Sequence, residues 1–227
     1  MTQEHVAPGE ILQGYYWSPA THNYVRAATG RFVARQHILD LLERSVAERE
    51  RRLVQGVQTV ADGRISPATF FARVSVMLKR QYLQNAALAR GGWDRLTDGD
   101  IGRIEAALRV ELGRARNLAA ELADGRASVA QGQNRITMYL GNARRLYFEI
   151  ERETLPPPAE GMVWLERRRL TPADHCTDCV RYAALGWQPV GVLPVPSQDS
   201  QCDGNCRCIL DRRQVGAERA AGMIGGR

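Results

Sequence analysis

The pattern of apolar and polar positions predicts a helical middle section with irregular segments at both ends. From about residue 35 to residue 153, apolar residues recur at steps of three and four, the spacing of one face of an α-helix. Four long helices are predicted, at about 35–60, 66–90, 97–122 and 128–153. The turns between them are short, which is typical of antiparallel neighbours in a helical bundle. The predicted fold class is therefore mainly α, with an antiparallel helical bundle at its centre.

The ends of these helices carry specific signals. Gly91 and Gly92 are predicted to stop the second helix. Thr97 and Asp100 resemble a capping box that begins the third helix, with Asp in place of the usual Glu. These signals support the predicted boundaries independently of the apolar spacing.

A short segment also recurs at an offset of 62 residues. Residues 61–66 read Ala-Asp-Gly-Arg-Ile-Ser, and residues 123–128 read Ala-Asp-Gly-Arg-Ala-Ser. In each copy the Gly ends one helix and the Ser caps the next, with Pro67 at the first helical position of the first copy. Either a helical hairpin is duplicated, or a common turn sequence is used twice.

The N-terminal segment shows no helical periodicity. Residues 1–23 contain scattered Pro and Gly and three consecutive aromatic residues. These aromatic residues are Tyr15, Tyr16 and Trp17. They belong either to a flexible arm that docks on a partner or to a segment packed on its own domain. Residues 23–35 alternate in polarity around Gly30, which predicts a short β-hairpin that needs a surface to lie on.

Three consecutive prolines, residues 156–158, end the helical pattern and mark a stiff linker. Beyond them, residues 162–167 are predicted to form a strand that leads into a small irregular module containing the cysteines. The tail is rich in Gly, Ala and Arg, so it is either disordered or a short helix that orders against a partner. The predicted units are an arm and hairpin (1–34), the helical bundle (35–155), a zinc-stapled cysteine module (156–212) and a flexible tail (213–227).

The strongest chemical signal is the grouping of all five cysteines within one short segment. They are Cys176, Cys179, Cys202, Cys206 and Cys208. Two groups of closely spaced thiols, separated by 22 residues, suit a tetrahedral Zn²⁺ site, because each tight turn presents its thiolates to one ion. Four ligands suffice for such a site. Cys176 and Cys179 are the safest pair, and the spacing leaves open which of the other three is spare.

The predicted zinc is structural, since an open catalytic site carries fewer thiolates and a poised base. A module rich in Pro and Gly buries little surface without the metal, so it is expected to lose order on chelation. Disulfides, a redox-active dithiol and inert buried thiols are the alternatives. An odd number of cysteines disfavours disulfides, and the three additional cysteines disfavour a dithiol. His175 is a weaker candidate ligand, because adjacent residues rarely both reach one ion.

The formal net charge of +6 predicts an acidic partner, either nucleic acid or the carboxylates of another protein. The densest basic cluster is a candidate contact surface, with a solvated strand end as the alternative. It comprises Arg167, Arg168 and Arg169. No apolar run reaches the roughly 18 residues of a membrane span, so we predict a soluble protein with no membrane partner.

No sequence motif indicates an enzyme. The chain has no Gly-rich phosphate loop, dinucleotide-binding fingerprint or nucleophile elbow. Asp174 and His175 beside the cysteines resemble part of a zinc-stapled nuclease of the His-Asn-His type. However, the downstream Asn and second His that would hold the catalytic ion are absent. We therefore predict a binding protein.

Several of these features together resemble the minor head and head-morphogenesis proteins of tailed bacteriophages, in the broad phage Mu F-like group. They are the hairpin segment 30–33, the helix end 88–92, the Gly-Arg-x-Ser turns at Gly63 and Gly125, the Cys-x-x-Cys at 176–179, Gly186-Trp187, Leu193-Pro194, Cys202 and Asn205-Cys206-Arg207-Cys208. The Cys-Arg-Cys end with its upstream Cys-x-x-Cys is the most specific of these features. The resemblance covers about residues 23–211, and the chain departs from longer members in its short arm and short segment after Cys208.

This resemblance implies a low-copy virion component near the portal that aids head morphogenesis or DNA packaging, without implying an enzymatic activity. The implied partners are the portal protein, the major capsid protein or both, with packaged DNA as a further partner. Several copies would form a ring or decorate the portal, after assembly in the host bacterial cytoplasm. An alternative from another functional class is a zinc-containing regulator that binds nucleic acid, which the positive charge and the Arg clusters favour.

Overall fold

The computed structural model describes residues 13–224, so the beginning of the predicted arm, residues 1–12, lies outside the described residues. In chain order the elements are β1 (Tyr15–Ser18), β2 (Asn23–Arg26), α1 (Arg35–Ala61), α2 (Pro67–Arg90), α3 (Asp98–Ala123), α4 (Val129–Glu153), β3 (Met162–Arg169), α5 (Thr177–Ala184), β4 (Gln188–Pro189), β5 (Ile209–Gly216) and α6 (Ala217–Met223). The prediction of a mainly α protein is confirmed. We refer to α1–α4 as the helical body.

The helices of the helical body begin where the sequence supplies caps. The Ser66 hydroxyl accepts a hydrogen bond from the backbone N–H of Thr69, and Pro67 occupies the first turn of α2. Thr97 and Asp100 form the predicted capping box of α3. A second capping box, made by Ser128 with Gln131, starts α4 and was not predicted. Together these caps satisfy backbone N–H groups that have no partner within the helix.

The repeated sequence segment adopts the same backbone geometry in both copies. Gly63 has a φ of +69° and Gly125 has a φ of +70°, a left-handed conformation that favours glycine. In each turn the Arg that follows the Gly forms an ion pair with the Asp that precedes it, at 2.6 Å for Arg64 and 3.0 Å for Arg126. The α1–α2 and α3–α4 pairs are therefore alike in boundaries and in turn chemistry.

One hydrophobic core extends beyond the helical body. It contains Tyr24 from β2 and four buried residues from the C-terminal region of the chain. These four are Leu193, Val195, Ile209 and Leu210. The C-terminal segment is thus packed on the helices and shares their buried apolar surface. Among residues 13–224, no helix is both long enough and apolar enough to cross a membrane.

The N-terminal hairpin extends beyond the predicted residues 23–35. The paired strands are β1 and β2, with Tyr15 opposite Arg26 and Ser18 opposite Asn23, a pairing that was not predicted. The predicted hairpin is present in minimal form, since Val25 and Phe32 form an antiparallel bridge and the Arg26 and Val33 backbone N–H groups donate to the carbonyls of Arg31 and Tyr24. Long-range packing favours the observed pairing. The Trp17 ring lies so close to Gly91 that any side chain there would overlap it, and the Tyr24 hydroxyl donates to the Leu88 carbonyl at 2.8 Å.

The C-terminal region is more regular than predicted. β3 confirms the predicted strand and lies between β4 and β5 in an antiparallel sheet. Residues 213–223, which the sequence assigned to a flexible tail, form the end of β5 and α6, and α6 is the short helix that was the alternative to disorder. The physical reason is a small second core, in which Val215 and Ala220 pack against Leu165. A few apolar side chains suffice to order a segment whose composition is otherwise typical of disorder.

A partly buried network of ion pairs joins the helical body to this sheet. The Arg212 side chain is 3.4 Å from Glu166 and 2.5 Å from Glu151. Arg152 pairs with Glu166 at 2.6 Å, and Arg35 pairs with Glu151 at 2.6 Å. Burial opposes ionisation of Glu151, but the charges of Arg35 and Arg212 outweigh it and lower the pKa of Glu151 to about 2. Glu151 is therefore ionised at neutral pH.

Candidate metal centre

The five cysteines are brought together by short turns at the ends of small elements. Cys176 precedes the first residue of α5, and Cys179 lies in its first turn. Cys202 and Cys206 flank a single 3₁₀ turn, Asp203–Asn205. Cys208 directly precedes β5. Each turn therefore aims its thiols at one small volume, as the sequence spacing predicted.

The distances between the sulfur atoms suit a metal site better than disulfides. The Sγ atom of Cys202 is 3.4 Å from those of Cys176 and Cys179, and the Sγ atoms of Cys179 and Cys206 are 3.6 Å apart. A disulfide has a sulfur–sulfur distance of about 2.05 Å. Four thiolates about 2.3 Å from a tetrahedral zinc ion lie about 3.8 Å from one another. The observed spacing is close to this second value.

The thiols form two overlapping groups that share Cys179. Cys176, Cys179 and Cys202 form one group, and Cys179, Cys206 and Cys208 form the other, with the sulfur atoms of each group within 4.8 Å of one another. Either group offers three thiols to one metal ion next to Cys179. The remaining group then supplies a fourth thiol, so the set fits a four-coordinate ion.

Burial makes ionisation of several thiols costly without a cation. Cys179, Cys206 and Cys208 are almost completely buried, and burial raises the pKa of Cys179 well above its ordinary value. The neighbouring Cys208 lowers the pKa of Cys206, and the neighbouring Cys206 together with burial raises the pKa of Cys208. Cys179 and Cys208 therefore keep their protons at neutral pH when no cation is bound. A divalent cation would replace such protons and stabilise the remaining thiolates.

His175 lies beside the cluster and is held in one orientation. Its Nε2 atom is 2.7 Å from the carbonyl oxygen of Thr171, and its Nδ1 atom is 3.4 Å from the Sγ atom of Cys208. A carbonyl oxygen only accepts hydrogen bonds, so Nε2 carries the ring proton and Nδ1 presents a lone pair. The Cys208 thiol is therefore placed to donate to His175.

Two buried arginines surround the cysteines and were not predicted as members of the site. Arg168 lies 3.8 Å from the Cys206 sulfur and donates to the Pro194 carbonyl at 2.5 Å. Arg144 of α4 donates to the carbonyls of Cys206 and Cys208 and pairs with Glu43 at 2.7 Å. Burial lowers the pKa of Arg144. The available sequence signal was a charged residue at position 144 on the apolar face of α4.

A pair of glycines lets the cysteine segment touch α4 directly. A Cβ atom added at Gly141 would overlap the Gly204 carbonyl oxygen, and one added at Gly204 would overlap the Met138 carbonyl oxygen. Gly204 lies between Cys202 and Cys206, so the turn that carries these two cysteines is the turn that packs on the helix. Close backbone approach of this kind requires residues without side chains.

The structure does not support the whole Arg167–Arg169 cluster as a contact surface. Arg168 is only 2% exposed, so it is unable to reach a partner. Arg167 and Arg169 each form an ion pair with Asp211. Arg167 also lies over the Trp187 ring, 4.8 Å from its centroid. Strand alternation points the middle member inward and leaves the other two at the surface.

The N-terminal aromatic residues Tyr15, Tyr16 and Trp17 differ from one another in contacts and in exposure. The Tyr15 hydroxyl lies 2.8 Å from Nε2 of His37, and the Trp17 ring packs against Tyr24 at 5.0 Å between centroids. Tyr16 is 52% exposed. Of the three residues, only Tyr16 presents most of its side chain outward.

Comparisons with protein-family models, with curated proteins and with solved structures find no match to this chain.

Proposed function

We propose that the chain is a structural or assembly protein of a tailed-phage virion, a minor capsid component associated with the portal region. In this proposal it aids head morphogenesis or DNA packaging as an antiparallel helical bundle with a zinc-stapled module, and it has no enzymatic activity. Its partners are the portal protein, the major capsid protein or both.

The convergence of the residues that carry the phage-head resemblance supports this proposal. All five cysteines lie in one cluster, Leu193 is buried in the main core, and Arg167 and Arg213 both lie over the Trp187 ring. These residues are far apart in the sequence, but all of them contribute to the packing of the C-terminal region. Buried thiols around a closed site are suited to a structural metal, since a catalytic metal needs an open position.

We further propose that zinc is held by Cys176, Cys179, Cys202 and Cys206. Contacts of 3.4–3.6 Å connect these four sulfurs. Cys208 is the spare thiol in this assignment, because its proton is donated to the oriented Nδ1 atom of His175. When bound, the ion supplies positive charge and a fixed geometry that link α5 to the turn at Asp203–Asn205.

Serine variants test this ligand assignment. Cys179→Ser is expected to lose nearly all bound zinc, because Cys179 belongs to both thiol groups. Cys208→Ser is the matched control and should retain about one zinc per chain. Zinc content is measured by elemental analysis of the purified full chain, with circular dichroism to verify folding. Loss of zinc in Cys208→Ser and its retention in Cys176→Ser would contradict the assignment, and absence of zinc from the unmodified protein would overturn the metal site.

The virion role is tested by quantitative peptide mass spectrometry on density-purified phage particles from the source. The chain is expected at a fixed, low ratio to the portal protein, since a portal-associated component follows the portal copy number. Portal peptides serve as the internal standard, and a host cytoplasmic protein serves as the control for contamination. Detection of the chain only in infected-cell lysate would contradict a virion role and would favour the nucleic-acid-binding regulator.

A further inference from the structure

The two halves of the helical body carry grooves at equivalent positions. The first groove lies between α1 and α2 and has a volume of about 340 Å³, and the second lies between α3 and α4 and has a volume of about 470 Å³. Seven of the eight residues that line the first groove have their counterpart, 62 positions later, in the lining of the second. The duplication observed in the turns therefore extends to a surface feature.

The second groove is closed on one side by the chain itself. Asp203 and Ser197, from the cysteine module, belong to its lining. Next to Asp203, Gly204 packs against the backbone of Met138 and the side chain of Asn142. A turn of the chain itself, carrying the acidic residue Asp203, therefore forms one side of this groove. The first groove is lined only by residues of α1 and α2 within the described range of the chain.

The two grooves differ in charge at equivalent positions. Arg44 corresponds to Ala106, and Arg80 corresponds to Asn142. A third arginine of the first groove, Arg49, is replaced in the second by a glutamate. The first groove is thus strongly basic, whereas the second contains acidic and basic residues that pair with each other.

Two arginines of the first groove are available to a ligand. Among residues 13–224, Arg44 and Arg80 have no carboxylate partner, and both are exposed. The neighbouring Arg52 already pairs with Glu48, and Arg49 donates to Gln81 at 2.7 Å. The two unpaired guanidinium groups are therefore the free positive charges of the groove, and each can bind a carboxylate through two parallel hydrogen bonds.

We propose that the first groove is the docking site for an acidic polypeptide segment of a partner protein. The second groove supplies the precedent, because a turn containing Asp and Gly packs along one side of it. Charge complementarity supplies the specificity, since Arg44 and Arg80 replace uncharged residues of the second groove. This inference rests neither on the bound metal nor on the virion role.

A charge-reversal experiment tests the proposal on the full chain. The probe is a short fluorescent synthetic peptide of alternating Asp and Gly, with the Asn-Gly peptide as the uncharged control. We expect the Asp-Gly peptide to bind, and the variant Arg44→Glu/Arg80→Glu to bind it at least about tenfold more weakly. The matched control is Arg73→Glu/Arg109→Glu, which changes the net charge equally at exposed positions outside the groove. Fluorescence anisotropy measures the affinity.

Three other results of this binding experiment would overturn the proposal. Equal losses of affinity in the two double variants would show nonspecific attraction to a basic protein. Absence of peptide binding, with duplex DNA binding that depends on Arg44 and Arg80, would assign the groove to phosphates. No binding of either probe would leave the groove without an acidic ligand. The milder Arg44→Gln/Arg80→Gln variant, verified by circular dichroism, keeps the test valid if charge reversal disturbs folding.

Discussion

Replacement of Gly141 by Ala is expected to lower the free energy of unfolding by about 3 kcal/mol, because the added methyl group would force the turn at Asp203–Asn205 away from α4. This displacement would also weaken the contacts of Arg144 with the carbonyls of Cys206 and Cys208. The intrinsic preference of helices for Ala over Gly, about 1 kcal/mol, acts in the opposite direction and is outweighed.

Gly113→Ala is the matched control for this prediction. Gly113 also lies within a long helix, but a Cβ atom there would have no other atom within 4 Å. This variant is expected to be stabilised by up to about 1 kcal/mol. Urea unfolding of the zinc-loaded protein, followed by circular dichroism, measures both changes. Equal stabilisation of the two variants would show that the close contact between α4 and the cysteine module is absent in solution.

Replacement of Arg212 by Met is expected to lower the free energy of unfolding by about 3 kcal/mol, because two partly or fully buried carboxylates lose a shared cation. These carboxylates belong to Glu151 and Glu166, and the methionine retains much of the apolar bulk of the arginine. Arg126→Met is the control, since Arg126 forms only an exposed pair with Asp124. Thermal or urea unfolding at neutral pH compares the two variants.

The pH dependence of stability provides a second measurement on Arg212→Met. The pKa of Glu151 is about 2 in the folded protein, below its unfolded value of about 4.3. Its contribution to stability is therefore fully present above about pH 4.3 and is lost as the pH falls towards 2. Without Arg212 the folded pKa of Glu151 rises, so this pH-dependent contribution becomes smaller. An unchanged stability and an unchanged acid transition would contradict the role assigned to the network.

Local signals predicted the helical body well. The apolar spacing and the caps at Ser66, Thr97 and Ser128 specify α2, α3 and α4 without reference to the rest of the chain. The pairing of β1 with β2 was not predicted because it depends on remote groups, the Gly91 backbone and the Leu88 carbonyl. Local alternation around Gly30 carries no information about them.

The spacing of the cysteines predicted that they form one cluster, but not the division of roles within it. The proposed division depends on His175, whose orientation is fixed by the Thr171 carbonyl, a contact with no sequence pattern. Arg168 was misplaced for a related reason, because an arginine within a basic run is usually exposed. The strand β3 instead directs it inward, towards Cys206 and Pro194.

The shared core joins the helices and the C-terminal region into a single cooperative unit. A shortened chain that ends at Leu155 would lack Leu193, Val195, Ile209 and Leu210, and the apolar surface that they cover on the helices would face water. Such a fragment would tend to aggregate and would be a poor substitute for the whole protein. Heating the intact chain would likewise melt the two regions in a single transition. With the proposed zinc site, removal of the metal would therefore destabilise the helices as well as the cysteine segment.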